Sequence, residues 1–146
     1  MKDDKNLIAA VIGVISTIPS EIVSLILVRL GYAKYSIYHL ASMLVTQKTP
    51  SFIMGIFVCP IIAGFISIIL YQAFRKLGAQ HLIIKCIGVS LLMFIALEFV
   101  FSVFYDGKLI PSGRISADYS HLFSAIIYGI TEGLLFGRFL FYKKIE

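Results

Sequence analysis

Charge is scarce in this 146-residue chain: Asp, Glu, Lys and Arg make up 14% of it, against 59% hydrophobic residues, and the mean hydropathy is +0.93. So little polar surface excludes a water-soluble globule of this size and makes lipid the expected solvent. Tryptophan is absent, which leaves interfacial anchoring to tyrosine. The only two cysteines, Cys59 and Cys86, fall in apolar stretches and not in loops. That placement argues against an extracellular disulfide framework and for two small buried hydrophobes. HExxH, GxSxG, a phosphate-cradling glycine loop and paired CxxC are all missing, so the sequence indicates no enzyme and implies no cofactor. No basic run is interleaved with aromatics, so nucleic acid is not an expected partner, and the net charge of +5 is ordinary for a membrane surface.

What the chain does have is four long apolar runs, Leu7 to Leu30, Phe52 to Phe74, Leu82 to Tyr105 and Tyr119 to Tyr142. Each reaches the length of about 20 residues that a spanning helix needs. Backbone in hydrocarbon must satisfy its own hydrogen bonds, so each run is expected to be an α-helix. The first run follows a short charged start. It is longer than a signal h-region, lacks a small-x-small cleavage pattern and is interrupted by Glu21, so it is read as a mature helix. The expectation is an all-α polytopic protein, one four-helix transmembrane domain over residues 1–146, whose first partner is the lipid bilayer.

Placing both termini in the cytoplasm puts Lys2, Lys5, Arg75, Lys76, Lys85, Arg138, Lys143 and Lys144 inside, against Arg29, Lys34, Lys48, Lys108 and Arg114 outside. The positive-inside rule favours that cell-membrane topology. Tyr32, Tyr35, Tyr38, Tyr71, Tyr105, Tyr119 and Tyr142 fall at or near the proposed boundaries, where a ring can be buried and its hydroxyl wet; only Tyr128 lies deep. The turn from Arg75 to His81 is short enough to make the second and third spans antiparallel neighbours. Residues Asp106 to Asp118, with Gly107, Pro111 and Gly113, read as an irregular loop. In the first connection Ile37, Leu40, Ala41, Leu44 and Val45 recur at helical spacing, which predicts a short amphipathic helix lying on the outer interface. Thr49-Pro50-Ser51 would end it and start the second span.

Gly129, Gly133 and Gly137 form a GxxxGxxxG stripe in the last span, a surface for close backbone approach. Matching small residues lie in the first span (Ala10, Gly13, Thr17, Ser20, Ser24) and the second (Ala63, Gly64, Ser67). The stripe fits either a helix of the same chain or another subunit, which leaves a homo-oligomer or a second membrane protein as candidate partners. Pro19 and Pro60 each remove a backbone donor inside a span, as a bend or as part of a polar site.

The chemistry-bearing candidates are three glutamates inside the apolar runs, Glu21, Glu98 and Glu132. A carboxylate at bilayer depth costs several kcal/mol on insertion scales, so it faces a protein interior or a wet cavity and marks a functional site by default. Each lies near the centre of its own run, which predicts a common slab about 10 Å thick in which the three could converge. At 100° per residue, Asp118, His121, Tyr128 and Glu132 share one quadrant of the last helix, a polar stripe running inward. One reading is a proton or cation path with Glu132 as the deep group, Tyr128 beside it, and His121 with Asp118 at the mouth. The other is that Asp118 caps the helix, His121 sits at the headgroups and Glu132 pairs across the bundle. The spacing of the glutamates with His121 is not one that a metal site dictates, and a metal is left open.

The four-span layout, the first connection from Gly31-Tyr32 to Pro50, and Ile127-Tyr128-Gly129 followed by Gly133 resemble a group of small, uncharacterised four-helix membrane proteins of Gram-positive bacteria, the YqhR-like type. The resemblance implies a four-helix membrane fold and no activity. Two functions follow as expectations: a proton- or cation-coupled transporter or channel-like protein using the intramembrane glutamates, or a non-catalytic scaffold or accessory subunit of a larger membrane complex. Glutamates meeting in one cavity would favour the first, and glutamates spent on separate packing contacts the second.

Overall fold

The structure is a computed structural model that describes residues 4–46, 49–104 and 115–141. Among these residues there are five α-helices and no strands: α1 (Lys5–Arg29), α2 (Ile37–Thr46), α3 (Phe52–Leu77), α4 (Leu82–Phe104) and α5 (Ile115–Phe136), the last continuing as a π-helical turn over Gly137–Phe141. The four long ones contain stretches long and apolar enough to cross a membrane, Lys5–Arg29, Phe52–Leu77, Leu82–Phe101 and Asp118–Phe141. Of the loop expected between the last two spans, residues 105–114 lie outside the described residues, as do Tyr105 and Tyr142; α5 begins at Ile115, inside the range expected for the loop.

The starts and stops have local causes. Asp4 caps α1 by accepting from Asn6 N at 3.0 Å and Leu7 N at 3.4 Å, and Ser51 caps α3 by accepting from Met54 N. Gly78 (φ 86°) ends α3 in a conformation that favours glycine. Pro19 and Pro60 lie inside helices that continue as α-helix on both sides.

Close backbone approach builds two helix pairs. Between α1 and α3, Gly13 lies against the Ala63 carbonyl and Ser67, and Gly64 against Ala10. Between α4 and α5, a Cβ on Gly129 would lie 2.6 Å from Ile87 Cα, and one on Gly133 2.6 Å from Ile83 Cα. The glycine stripe is therefore used within the chain, and its partner is α4, not the small-residue faces of α1 or α3. Gly137 is buried and opens the π-helical turn. The two pairs meet where α1 packs on α5, giving the spatial order α3, α1, α5, α4.

This order corrects one expectation. The turn from Gly78 to His81 joins α3 to α4, yet the two make almost no helix-to-helix contact. A short connection fixes only the two ends it joins, and α4 is drawn away by the glycine surface of α5. Near that turn the gap is closed by a core of Ala9, Ile12, Leu70, Tyr71, Phe74, Leu82, Cys86, Phe136 and Leu140. Tyr71 belongs to this core, 3% exposed with its ring 5.7 Å from that of Phe141, and so departs from the expected boundary belt.

The short helix α2 appears where expected but does not simply rest on the surface. Its Tyr38, Ser42 and Met43 are buried, and it packs on α3 so closely that Gly55 faces the Tyr38 backbone. Ser42 Oγ accepts from Ser51 N at 2.9 Å, tying the end of the connection back to α2.

Candidate functional site

A polar ridge on α1 holds α2 in place. Ser24 Oγ accepts from Ile37 N at 3.2 Å, Glu21 Oε2 accepts from Tyr38 N at 3.1 Å, and Thr17 Oγ1 is 2.9 Å from the Tyr38 hydroxyl. The spacing 17, 21, 24 places all three on one face of α1. Glu21, 4% exposed, thus serves the free amides at the start of α2, where the helix dipole favours a negative group. Tyr38 is buried here and not a wet boundary tyrosine; burial pushes its hydroxyl above the usual range, with the Thr17 hydrogen bond opposing. On the next turn, Ser36 Oγ lies 2.8 Å from His39 Nδ1, and burial lowers the His39 imidazole below its ordinary value.

Glu132 is the deepest acid, fully buried on α5. Its Oε1 accepts from Ser67 Oγ on α3 and from the Tyr128 hydroxyl at 3.4 Å, while Oε2 has no hydrogen-bond partner. Ser67 is the only Ser or Thr in α3, and its hydroxyl is fully buried. In the sequence it reads as a small packing residue; being the one polar side chain between Phe52 and Leu70 was the signal that it serves a polar group elsewhere.

Glu132 lines a cavity of about 180 Å³ that runs between α3 and α4, where those helices make almost no contact. Its floor comes from Thr17 and Ser20 of α1 and from His121, Ala125, Tyr128 and Glu132 of α5. The two sides are apolar faces of α3, around Ile62 and Ile66, and of α4, around Met93, Phe94 and Phe101. Ile37, Leu40, Ala41 and Leu44 of α2 cover one end. These are four of the five residues whose spacing predicted an amphipathic face, and they line the cavity; the fifth, Val45, is exposed.

The three glutamates do not share a slab. Gly129 meets Ile87 and Gly133 meets Ile83, so α4 and α5 are antiparallel in a register that sets Glu98 level with Asp118 and Glu132 level with Ile84. Glu98 and Glu132 are therefore separated by roughly 20 Å along α5 at 1.5 Å per residue. Glu98 and Glu132 each lie on the C-terminal side of their helix centre, which antiparallel packing carries in opposite directions, and the glycine register adds a stagger. Glu98 lines the cavity at the end where half-buried side chains give way to exposed Asp118, and His121, 7% exposed with Nδ1 unpartnered, lies on the same wall. Glu21 is not among the lining residues. Asp118 lies in the first turn of α5, not at its cap. Thus the sequence stripe of His121, Tyr128 and Glu132 stays together along one wall, Glu98 joins its mouth, and Glu21 is diverted to α2.

No Lys or Arg among the described residues lines the cavity. Among the described residues, no three His, Cys, Asp or Glu side chains are grouped to hold a metal ion. Cys59 lines the cavity half-buried, and Cys86 is buried in the core; both are free thiols. No family model matches the chain, and no curated protein or solved structure was found to be similar to it.

Proposed function

We propose that the protein is a multi-pass cell-membrane protein, with both termini cytoplasmic, that moves a small solute or ion in a proton- or cation-coupled cycle with Glu132 as the exchanging group. The observation that carries this reading is the environment of Glu132: a fully buried carboxyl with one oxygen held by Ser67 and Tyr128 and the other unpartnered, in the wall of a cavity with no neutralising Lys or Arg among its described lining residues. A carboxylate left so at bilayer depth is relieved by a proton or by a bound cation, and the exchange of one for the other is the elementary step of coupled transport. The other titratable groups around the cavity are Cys59 of α3, Glu98 of α4, and His121 and Tyr128 of α5; α1 and α2 supply hydroxyl or apolar groups only. Glu98 and His121 at the far end of the same wall give the path a second acidic station.

The test is Glu132→Gln in reconstituted vesicles carrying a pH-sensitive dye. A folded, inserted variant that loses a flux present in the wild type supports the proposal, since Gln keeps size and one acceptor but cannot ionise. The scaffold or accessory-subunit reading is favoured by one observation, the use of Glu21 as a packing contact for α2. It predicts no flux under any ion or solute gradient and full tolerance of Gln at position 132, and that result would replace the transporter reading.

A further inference from the structure

The shape and chemistry of the cavity restrict its occupant. The lining is apolar on three sides, supplied by α2, α3 and α4, so most of the occupant's surface must be apolar. Its size, about 180 Å³, is close to that of an engineered protein cavity of about 150 Å³ that takes benzene, so there is room for one ring and a short chain. Two buried polar atoms of the floor residues lack a partner, His121 Nδ1 and Glu132 Oε2; of these Oε2 is the carboxylate acceptor, the Oε1 positions being taken by Ser67 and Tyr128. At the mouth, Glu98 and the level Asp118 add negative charge, and no Lys or Arg is among the described lining residues. The charge along the described lining is therefore acidic at both ends, which rejects anions and favours a cationic donor over a neutral one. Tyr128, Phe94 and Phe101 supply aromatic groups in the same lining.

We propose that the cavity binds a small lipophilic primary ammonium, a body of about one ring with a short chain, whose N–H donates to the Oε2 of Glu132 while its apolar part lies between α3 and α4. This rests on the reading of the cavity as a solute site and names the class of solute. Because α3 and α4 make almost no contact away from the turn that joins them, an amphiphile already dissolved in the bilayer reaches the site sideways, without crossing an aqueous mouth. The ammonium–carboxylate pair would be desolvated, the setting in which a charge-assisted hydrogen bond discriminates most strongly against uncharged analogues.

The test is equilibrium binding to the purified full chain in lipid nanodiscs, with empty discs subtracted, using three probes of one shape: 2-phenylethylamine, 2-phenylethanol and phenylacetate. The expected result is saturable binding of the amine with one site per chain, at least about tenfold weaker binding of the alcohol, no binding of phenylacetate, and about a tenfold or greater loss of amine affinity in Glu132→Gln. Equal binding of amine and alcohol, absence of saturable amine binding, or undiminished amine binding by folded Glu132→Gln would overturn the proposal. Should Glu132→Gln fail to fold, the comparison of the three probes on the wild type decides alone. No gradient is involved, so the two readings separate: amine binding without flux upholds this site and removes coupled transport, whereas a Glu132-dependent flux without amine binding does the reverse.

Discussion

Replacing Gly133 by Ala tests the architecture at a close contact made with backbone. The added Cβ would lie 2.6 Å from Ile83 Cα and 3.1 Å from Ile83 N, against 3.4 Å or more for an ordinary contact. Both neighbours are backbone, so relief requires α4 itself to move by nearly an ångström. Overpacking of this kind costs about 1–3 kcal/mol, and the better helix propensity of Ala returns up to about 1 kcal/mol. A net loss of about 1 kcal/mol is expected, which for a chain of this length corresponds to a fall in Tm of roughly 3 °C. Gly88 is the internal control, because it lies mid-α4 with nothing within 4 Å of its would-be Cβ. Gly88→Ala should keep the propensity gain and melt slightly above wild type, while Gly133→Leu should fall well below Gly133→Ala. Thiol-reactive dye melting in detergent suits the purpose, since Cys86 is buried and adjoins this interface. If Gly133→Ala and Gly88→Ala melted together, the α4–α5 contact would not be the close one described.

Three further outcomes follow from other parts of the molecule. Glu21→Ala removes the acceptor at the start of α2, and leaves the Tyr38 amide unpaired; a loss of about 1–3 kcal/mol is expected, seen as faster hydrogen exchange confined to Ile37–Thr46, and unchanged exchange there would dismiss the capping role. The His39 imidazole is lowered from 6.5 by burial, so the unfolded chain binds the proton first; stability is full above pH 6.5 and falls as pH drops below it toward the folded value, and His39→Gln should flatten that slope in Tm against pH. With Cys59 and Cys86 replaced, Lys34→Cys should react with an impermeant thiol reagent on intact cells and Gln80→Cys should not; the opposite pattern would invert the topology.

The helices were legible because each depends on local pattern alone: run length for the spans, Ser51 for the start of α3, and the spacing of Ile37, Leu40, Ala41 and Leu44 for α2. The along-helix stripe of His121, Tyr128 and Glu132 was legible for the same reason, since one helix fixes its own faces. Relative depth was not. It depends on the α4–α5 register set by Gly129 and Gly133, and no feature of one helix encodes its offset against another, so Glu98 and Glu132 read as level when they lie at opposite ends of the cavity. Neighbour order failed likewise, because a short turn brings α3 and α4 together only at its own end. The fate of Glu21 required knowing that the start of α2 folds back onto α1, a long-range contact made through backbone amides that carry no side-chain signature.

The arrangement of the two tight pairs resembles a half-open book. The α1–α3 pair and the α4–α5 pair are its boards, the α1–α5 contact, where Ser20 Oγ bonds to the Ser124 carbonyl at 2.9 Å, is the spine, and the turn at Gly78 ties the free edges at one end only. Rocking one board against the other changes the width of the space between α3 and α4 without parting any glycine contact. Such a motion works against the α1–α5 seam, the Ser67–Glu132 hydrogen bond and the core near the turn, and leaves the glycine contacts inside each board in place. A lever of this kind converts a small rotation at the spine into a larger displacement at the outer edge, farthest from the tie, and that edge lies toward the end of the cavity where Glu98 and α2 stand.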